Sequence, residues 1–107
     1  MCGAQRPATV APMVAILIIH HDAAVRLAAR RALEPAGFSV SEAADVEEAM
    51  PALLELVVAD LAGTSEAGIR RRHAAARVLA IGEYGVAIPF TASQLLAAVR
   101  RRLAQPR

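Results

Sequence analysis

The stretch ILIIHHD, residues 16–22, runs four branched aliphatic residues into two histidines and an aspartate. Open α/β sheets bind ligands just beyond the carboxyl ends of their strands, so His20, His21 and Asp22 are candidate site residues. Asp60 closes a second apolar run, LELVVAD (54–60). Gly82 closes RVLAIG (77–82), and Ile88 with Pro89 closes VAI (86–88). Two carboxylates at residues 20 and 21 would suggest a magnesium site, since that cation takes oxygen ligands. Histidines do not. Imidazole suits zinc, nickel or copper and titrates near neutral pH, so a His20/His21 cleft with Asp60 is a candidate metal- or ligand-sensing site. Adjacent residues on an extended chain point to opposite sides. Both rings are therefore not expected to reach one ion, and no resident metal is expected.

The arginine runs IRRRH (69–73) and VRRRL (99–103) could meet phosphates. Consecutive arginines, however, spread around a helix, and no aromatic side chains accompany them for base stacking. They read as solvated helix faces, with no nucleic-acid partner expected. All twelve basic residues are arginine, and the formal charge of +2 implies no particular partner. The chain is 56% hydrophobic but only 3% aromatic, so its core must come from Ala, Val, Leu and Ile. That composition suits helices packed on a small sheet. The single cysteine, Cys2, forms no internal disulfide and fits a reducing cytoplasm. MVAILII (13–19) is too short to span a bilayer. Neither an export signal nor a lipoprotein signal is expected, nor any membrane association.

The elements that must position these residues follow from pattern and punctuation. Residues 1–12 are Pro/Ala-rich and aperiodic, predicting a flexible lead-in to one domain over 13–105. Val14–Ile19 predicts a strand covered on both faces. Asp22 is placed as the N-cap of a helix running to about Pro35, with Val25, Ala28, Ala29, Ala32 and Leu33 on one face and Gly37 as its stop. FSVSEA (38–43) alternates as a second strand. Asp45 and Glu48 form a capping-box-like pair for a helix over roughly 46–55, kinked or shortened by Pro51. LELVVAD is a third strand, and AGTSEAG (62–68) a loop into a short helix. RVLAIG is a fourth strand, and TASQ (91–94) a capping box for a last helix with Leu95, Leu96, Val99 and Leu103 inward. The order predicts a flavodoxin-like α/β fold, an open, mainly parallel sheet with helices on both faces.

In this order and spacing the chain resembles the receiver domain of bacterial two-component response regulators, from about residue 14 to 104. ILIIHHDAAVRLAARRALEPAGFSVSEAADVEEA is similar to the family's first half. LVVADLAGTSEAG resembles its phosphoacceptor strand and loop, and VAIPFTASQLLAAVRRRL its last strand, Pro-Phe and last helix. The resemblance implies that Asp60 occupies the phosphoacceptor position, with Gly68 the usual loop glycine. It places His20 and His21 where the family has its acidic, magnesium-holding pair, with Asp22 the neighbouring acid. Gly82 falls at the switch-hydroxyl position and Ile88 at the lysine position, and the family carries a cis peptide where Ile88–Pro89 lies. Of that working set only Asp60 remains, and the chain contains no lysine anywhere. The family's helix between the last two strands is also missing, since only Glu83, Tyr84 and Gly85 separate RVLAIG from VAI. A parallel crossover needs about a dozen residues, so the last short strand is expected to be antiparallel or irregular.

These departures imply a degenerate receiver-like signalling module rather than an enzyme. It would act by protein–protein interaction, independently of phosphorylation and without a cofactor. Its expected surface is the remodelled face of the last strands and last helix, around Tyr84, Val86, Phe90 and Leu96, meeting a protein partner or a second copy. The alternative is a phosphoacceptor domain of a two-component phosphorelay, phosphorylated on Asp60 by a histidine kinase with Mg²⁺. A third alternative is the metal- or ligand-sensing regulator built on His20 and His21.

Overall fold

The structure, a computed structural model, describes residues 14–46, 54–63, 65–82 and 85–105. The expected flexible segment 1–12, residues 47–53 of the helix expected over 46–55, and Tyr84 lie outside the described residues. The described elements are β1 (Ala15–Ile19), α1 (Ala23–Leu33), a 3-10 turn (Glu34–Ala36), β2 (Ser39–Ala43), β3 (Leu56–Asp60), α2 (Glu66–Arg72), β4 (Arg77–Ile81) and α3 (Ala92–Ala104). The sheet order is β2-β1-β3-β4, with every neighbouring pair parallel. This is the flavodoxin-like α/β arrangement.

β1 and β3 are apolar at nearly every position because the sheet is covered on both sides. Ile16, Ile18, Leu56 and Val58 pack against Ala29, Ala32 and Leu33 of α1 and Leu95 and Val99 of α3. Leu17, Ile19, Val57 and Ala59 point to the other face, against Ile69 and Ala76. The alternation of side chains along a strand thus divides one continuous apolar run between two cores. β2, at one edge, exposes Ser39 and Ser41 and buries Val40 and Ala43.

α1 starts where an acceptor is available. The Asp22 carboxylate accepts the Ala24 backbone N–H at 2.9 Å, satisfying one of the four donors a helix leaves open at its start. The helix ends at Leu33, and the 3-10 turn containing Pro35 leads to Gly37 at φ 100°, a left-handed conformation that glycine adopts without strain. Ala28, expected on the buried face, is exposed; the helix is rotated so that Ala29, Ala32 and Leu33 form the contact. Two arginines fasten it to β2. Arg26 Nε donates to Glu42 Oε1 at 3.2 Å, Arg30 Nη1 donates to Glu42 Oε2, and Arg30 Nη2 donates to the Val40 carbonyl at 2.8 Å.

The segment AGTSEAG is not a loop throughout. Ser65 Oγ accepts the Gly68 N–H at 3.2 Å and caps α2, which begins at Glu66. A serine followed by an acidic residue is an N-terminal signal that the glycine-rich appearance of the stretch obscured. α3 begins at the expected capping box. Thr91 Oγ1 accepts Gln94 N–H at 3.1 Å, and Gln94 Oε1 accepts Thr91 N–H at 2.8 Å.

Among the described residues no helix lies between β4 and α3. The segment after β4 is irregular and does not form an antiparallel strand, because Gly82, at φ 86°, turns the chain back along the same edge. Val86 then makes a single parallel bridge to Ile81, with Gly82 N–H donating to Val86 O at 2.6 Å and Val86 N–H donating to Ala80 O at 3.0 Å. A Cβ on Gly85 would lie 2.0 Å from the Ala80 carbonyl oxygen, so the return is tight enough to require glycine. With so short a connection the pairing stops after one bridge. β4 is consequently less covered than its neighbours, with Arg77–Ala80 all half-buried.

Candidate functional site

The carboxyl ends of β1 and β3 bring His20 and Asp60 together. His20 Nε2 lies 3.5 Å from Asp60 Oδ2, and the histidine is 6% exposed. Its other ring nitrogen, Nδ1, accepts the Asp22 backbone N–H at 3.0 Å. An acceptor nitrogen carries no proton, so the ring is the neutral tautomer with hydrogen on Nε2, aimed at the carboxylate. Burial lowers the His20 pKa below its ordinary value of 6.5, with the His21 imidazole adding to the effect and Arg26 contributing in the same direction. Asp60 and Asp22 pull the other way without reversing it. The close approach of His20 and Asp60 is thus a contact between a neutral imidazole and a carboxylate, and not an ion pair. Arg26 holds the turn from α1, its Nη1 donating to the His20 carbonyl at 2.6 Å.

The two histidine rings do not diverge. They stack, with centroids 4.5 Å apart and planes 22° from parallel, His20 inside and His21 exposed. Opposed side chains are a property of extended backbone. β1 ends at Ile19 and the chain bends at His21, which brings both rings to one side.

Asp60 is anchored by its own loop. Oδ1 accepts the Ala62 N–H at 3.0 Å, and its backbone carbonyl accepts the Gly63 N–H at 3.1 Å. Its side chain is 20% exposed, so the carboxylate still meets solvent. Gly82 lies directly against it: a Cβ there would sit 3.2 Å from Oδ1 and 3.3 Å from Cγ. Residue 82 therefore faces the carboxylate but presents only hydrogen, in a left-handed conformation that favours glycine.

A hard cation such as Mg²⁺ does not fit these groups. It needs oxygen ligands, and the position facing Asp60 presents an N–H. Asp22 Oδ1 is engaged by the start of α1. Zinc, nickel or copper meets a related obstacle. A metal-ligating histidine normally donates from its second nitrogen, whereas His20 Nδ1 is held as an acceptor by Asp22. Among the described residues no group of three or more His, Cys, Asp or Glu side chains could hold a metal ion.

Ile88 lies elsewhere, lining a small hollow of about 180 Å³ with Ala24, Val25, Ala28 and Phe90. The Ile88–Pro89 peptide is cis. Val86, Phe90 and Leu96 are half-buried, packing against the core cluster beneath α1 and α3. Among the described residues the large exposed apolar side chains are Leu27 and Ile88. Sequence reasoning missed two residues. Arg26 stood one turn after the cap, where a long donor can reach back to the strand end. His73 closes α2 with both ring nitrogens buried and without a hydrogen-bond partner among the described residues, and burial, with Arg72 nearby, lowers its pKa. No sequence signal marks an orphaned histidine.

No family model matches the sequence, and no curated protein matches it significantly. Solved structures do. A response regulator from Thermotoga maritima superimposes with a TM-score of 0.74 at 21% identity, covering 88% of this chain and 100% of that one. A signal receiver domain of an HD domain-containing protein from Pseudomonas fluorescens gives 0.73 at 16% identity, covering 92% and 93%. The receiver domain of the hybrid histidine kinase CckA gives 0.68 at 27% identity, covering 83% and 98%. No helix among the described residues is long and apolar enough to cross a membrane.

Proposed function

Starting from a chain that has the fold of CheY-like response-regulator receiver domains, we propose that it is a degenerate receiver-like signalling module that acts through protein contacts without aspartyl phosphorylation. The observation that carries this reading is the neutral His20 Nε2–H facing Asp60 where a metal-binding carboxylate would be needed. Phosphoryl transfer rests on positioning and on neutralising charge around the moving group. Losing one well-placed electrostatic donor costs roughly 10²–10³ in rate. Here the metal-holding acids, the hydroxyl at residue 82 and the lysine at residue 88 are all replaced, so Asp60 serves as a structural carboxylate. The working surface is the remodelled face from Gly82 to Phe90 with α3, and the partner is another protein or a second copy of the chain. The partly exposed Asp60 carboxylate favours the second reading, a slow phosphoacceptor served by a histidine kinase with Mg²⁺.

Incubation with acetyl phosphate and Mg²⁺, followed by intact-mass measurement, tests the proposal. No 80 Da adduct is expected after hours at neutral pH. A stoichiometric adduct lost in Asp60→Asn would establish the phosphoacceptor reading instead.

A further inference from the structure

Among the described residues, half of the outer edge of β4 has no neighbouring strand. Arg77 N–H donates to the carbonyl of Glu55, the residue before β3, and in a parallel strand alternate residues bond to opposite sides. Arg77, Leu79 and Ile81 therefore face β3, while Val78, Ala80 and Gly82 turn outward. Val86 occupies only the far half of this outward edge, taking Ala80 O and Gly82 N–H. Nearer the start of β4, the Val78 carbonyl is covered by a side chain, with Arg102 Nε donating to it at 3.1 Å. The outward N–H groups of Val78 and Ala80 have no acceptor among the described residues. Beside them opens a groove of about 390 Å³ between the β4 edge and α3, walled by Leu79, Val86 and Ala98 and rimmed by Arg101, Arg102 and Gln105. Arg77 stands at the same edge, its Nε donating to Gln105 O at 3.1 Å. Among the described residues no carboxylate lines the groove, and none pairs with Arg101 or Arg102.

We propose that this groove takes an extended acidic segment of a partner protein, which adds beside β4 as the missing half of a fifth strand. The inference rests on the reading of the chain as an interaction module and names the partner's chemistry. Exposed strand edges are templates for an added strand, and this one offers two backbone donors that call for peptide carbonyls. Apolar walls accept alternate side chains, and the arginine rim accepts carboxylates. Arg102 acts as a gate. An incoming backbone N–H replaces its Nε on the Val78 carbonyl, and the released guanidinium pairs with the segment's acid. A nucleic acid would supply charge but neither the carbonyl acceptors nor the apolar side chains.

The test uses ¹⁵N-labelled full chain and an end-blocked octapeptide of alternating valine and glutamate, with its valine–lysine counterpart as control. Addition of the acidic probe is expected to shift the Val78 and Ala80 amides and the Arg102 Nε–H, while the basic probe leaves them in place. Arg101→Glu is expected to weaken binding about tenfold, as is raising the salt to about 0.5 M. Arg101→Met, which keeps the apolar stem, gives the same direction with less risk to folding. Equal binding of both probes, shifts confined to other elements, or none at millimolar probe with or without Mg²⁺ and beryllofluoride would overturn the proposal. So would a dimer of the probe-free protein that Arg101→Glu dissociates, which would give the edge to a second copy. Repeating the titration with Mg²⁺ and beryllofluoride separates the two proposals. Probe binding only in their presence would sink phosphorylation independence and leave the groove standing. No probe binding in either state, with Asp60 unresponsive, would sink the groove alone.

Discussion

Replacing Gly82 by alanine tests the packing around Asp60 with a built-in control. Two costs are expected. The residue sits at φ 86°, where an L side chain loses about 1–2 kcal/mol relative to ordinary backbone. The added methyl also meets Asp60 Oδ1 at 3.2 Å, Cγ at 3.3 Å and Oδ2 at 3.4 Å. The carboxylate cannot simply step back, being tied to Ala62 N–H and faced by His20. Overpacking of this kind adds about 1 kcal/mol or more. Gly37 isolates the first cost, because it has φ 100° and a methyl added there would meet nothing within 4 Å. Gly82→Ala is therefore expected to destabilise the domain by about 1 kcal/mol more than Gly37→Ala, or about 4–8 °C in Tm for a domain of this size. The assay is urea denaturation followed by circular dichroism, repeated in an Asp60→Ala background, where the excess should vanish. Equal costs for the two glycines, or an excess that survives removal of Asp60, would refute the placement of Gly82 against the carboxylate.

Lowering the pH from about 7 is expected to destabilise the fold. The folded-state pKa values of His20 and His73 lie below the ordinary 6.5, so the unfolded chain binds more protons in that window and stability drops as pH falls through it; denaturant midpoints across pH check this. His73→Leu should stabilise by about 1 kcal/mol, since two orphaned ring nitrogens are exchanged for apolar surface, and should flatten part of that pH dependence. Leu95→Ala, at a fully buried position where α3 meets the sheet, is expected to cost about 2–5 kcal/mol in the same denaturation assay. Glu42→Gln should cost about 1 kcal/mol by weakening the clasp of Arg26 and Arg30 on β2, with the loss reduced at high salt.

The sheet was legible in the sequence because unbroken apolar runs such as ILII and LVVA mark strands covered on both faces. Asp22 and TASQ announced two helix starts for the same reason that they form them, supplying acceptors for open N–H groups. Ser65 did the same for α2, but the glycines on either side hid it. The missing crossover helix followed from counting residues between two apolar runs. The single parallel bridge did not, because it depends on a left-handed turn at Gly82 and on the absence of a side chain at Gly85. At the site, the resemblance implied that His20 and His21 stand where receiver domains carry an acidic pair. It could not show that the rings of His20 and His21 stack, nor that the Asp22 N–H selects the His20 tautomer. Both depend on where β1 stops and the chain bends.

Amide NMR of the chain titrated with Mg²⁺ and beryllofluoride, an acyl-phosphate mimic, tests the central claim most directly. A spectrum unchanged at saturating reagent, with the resonances of Asp60, Gly82 and Val86–Phe90 in place, is the expected result and marks a module that works without phosphorylation. Shifts centred on Asp60 and spreading to Gly82 and Phe90 would contradict it and restore the phosphoryl switch.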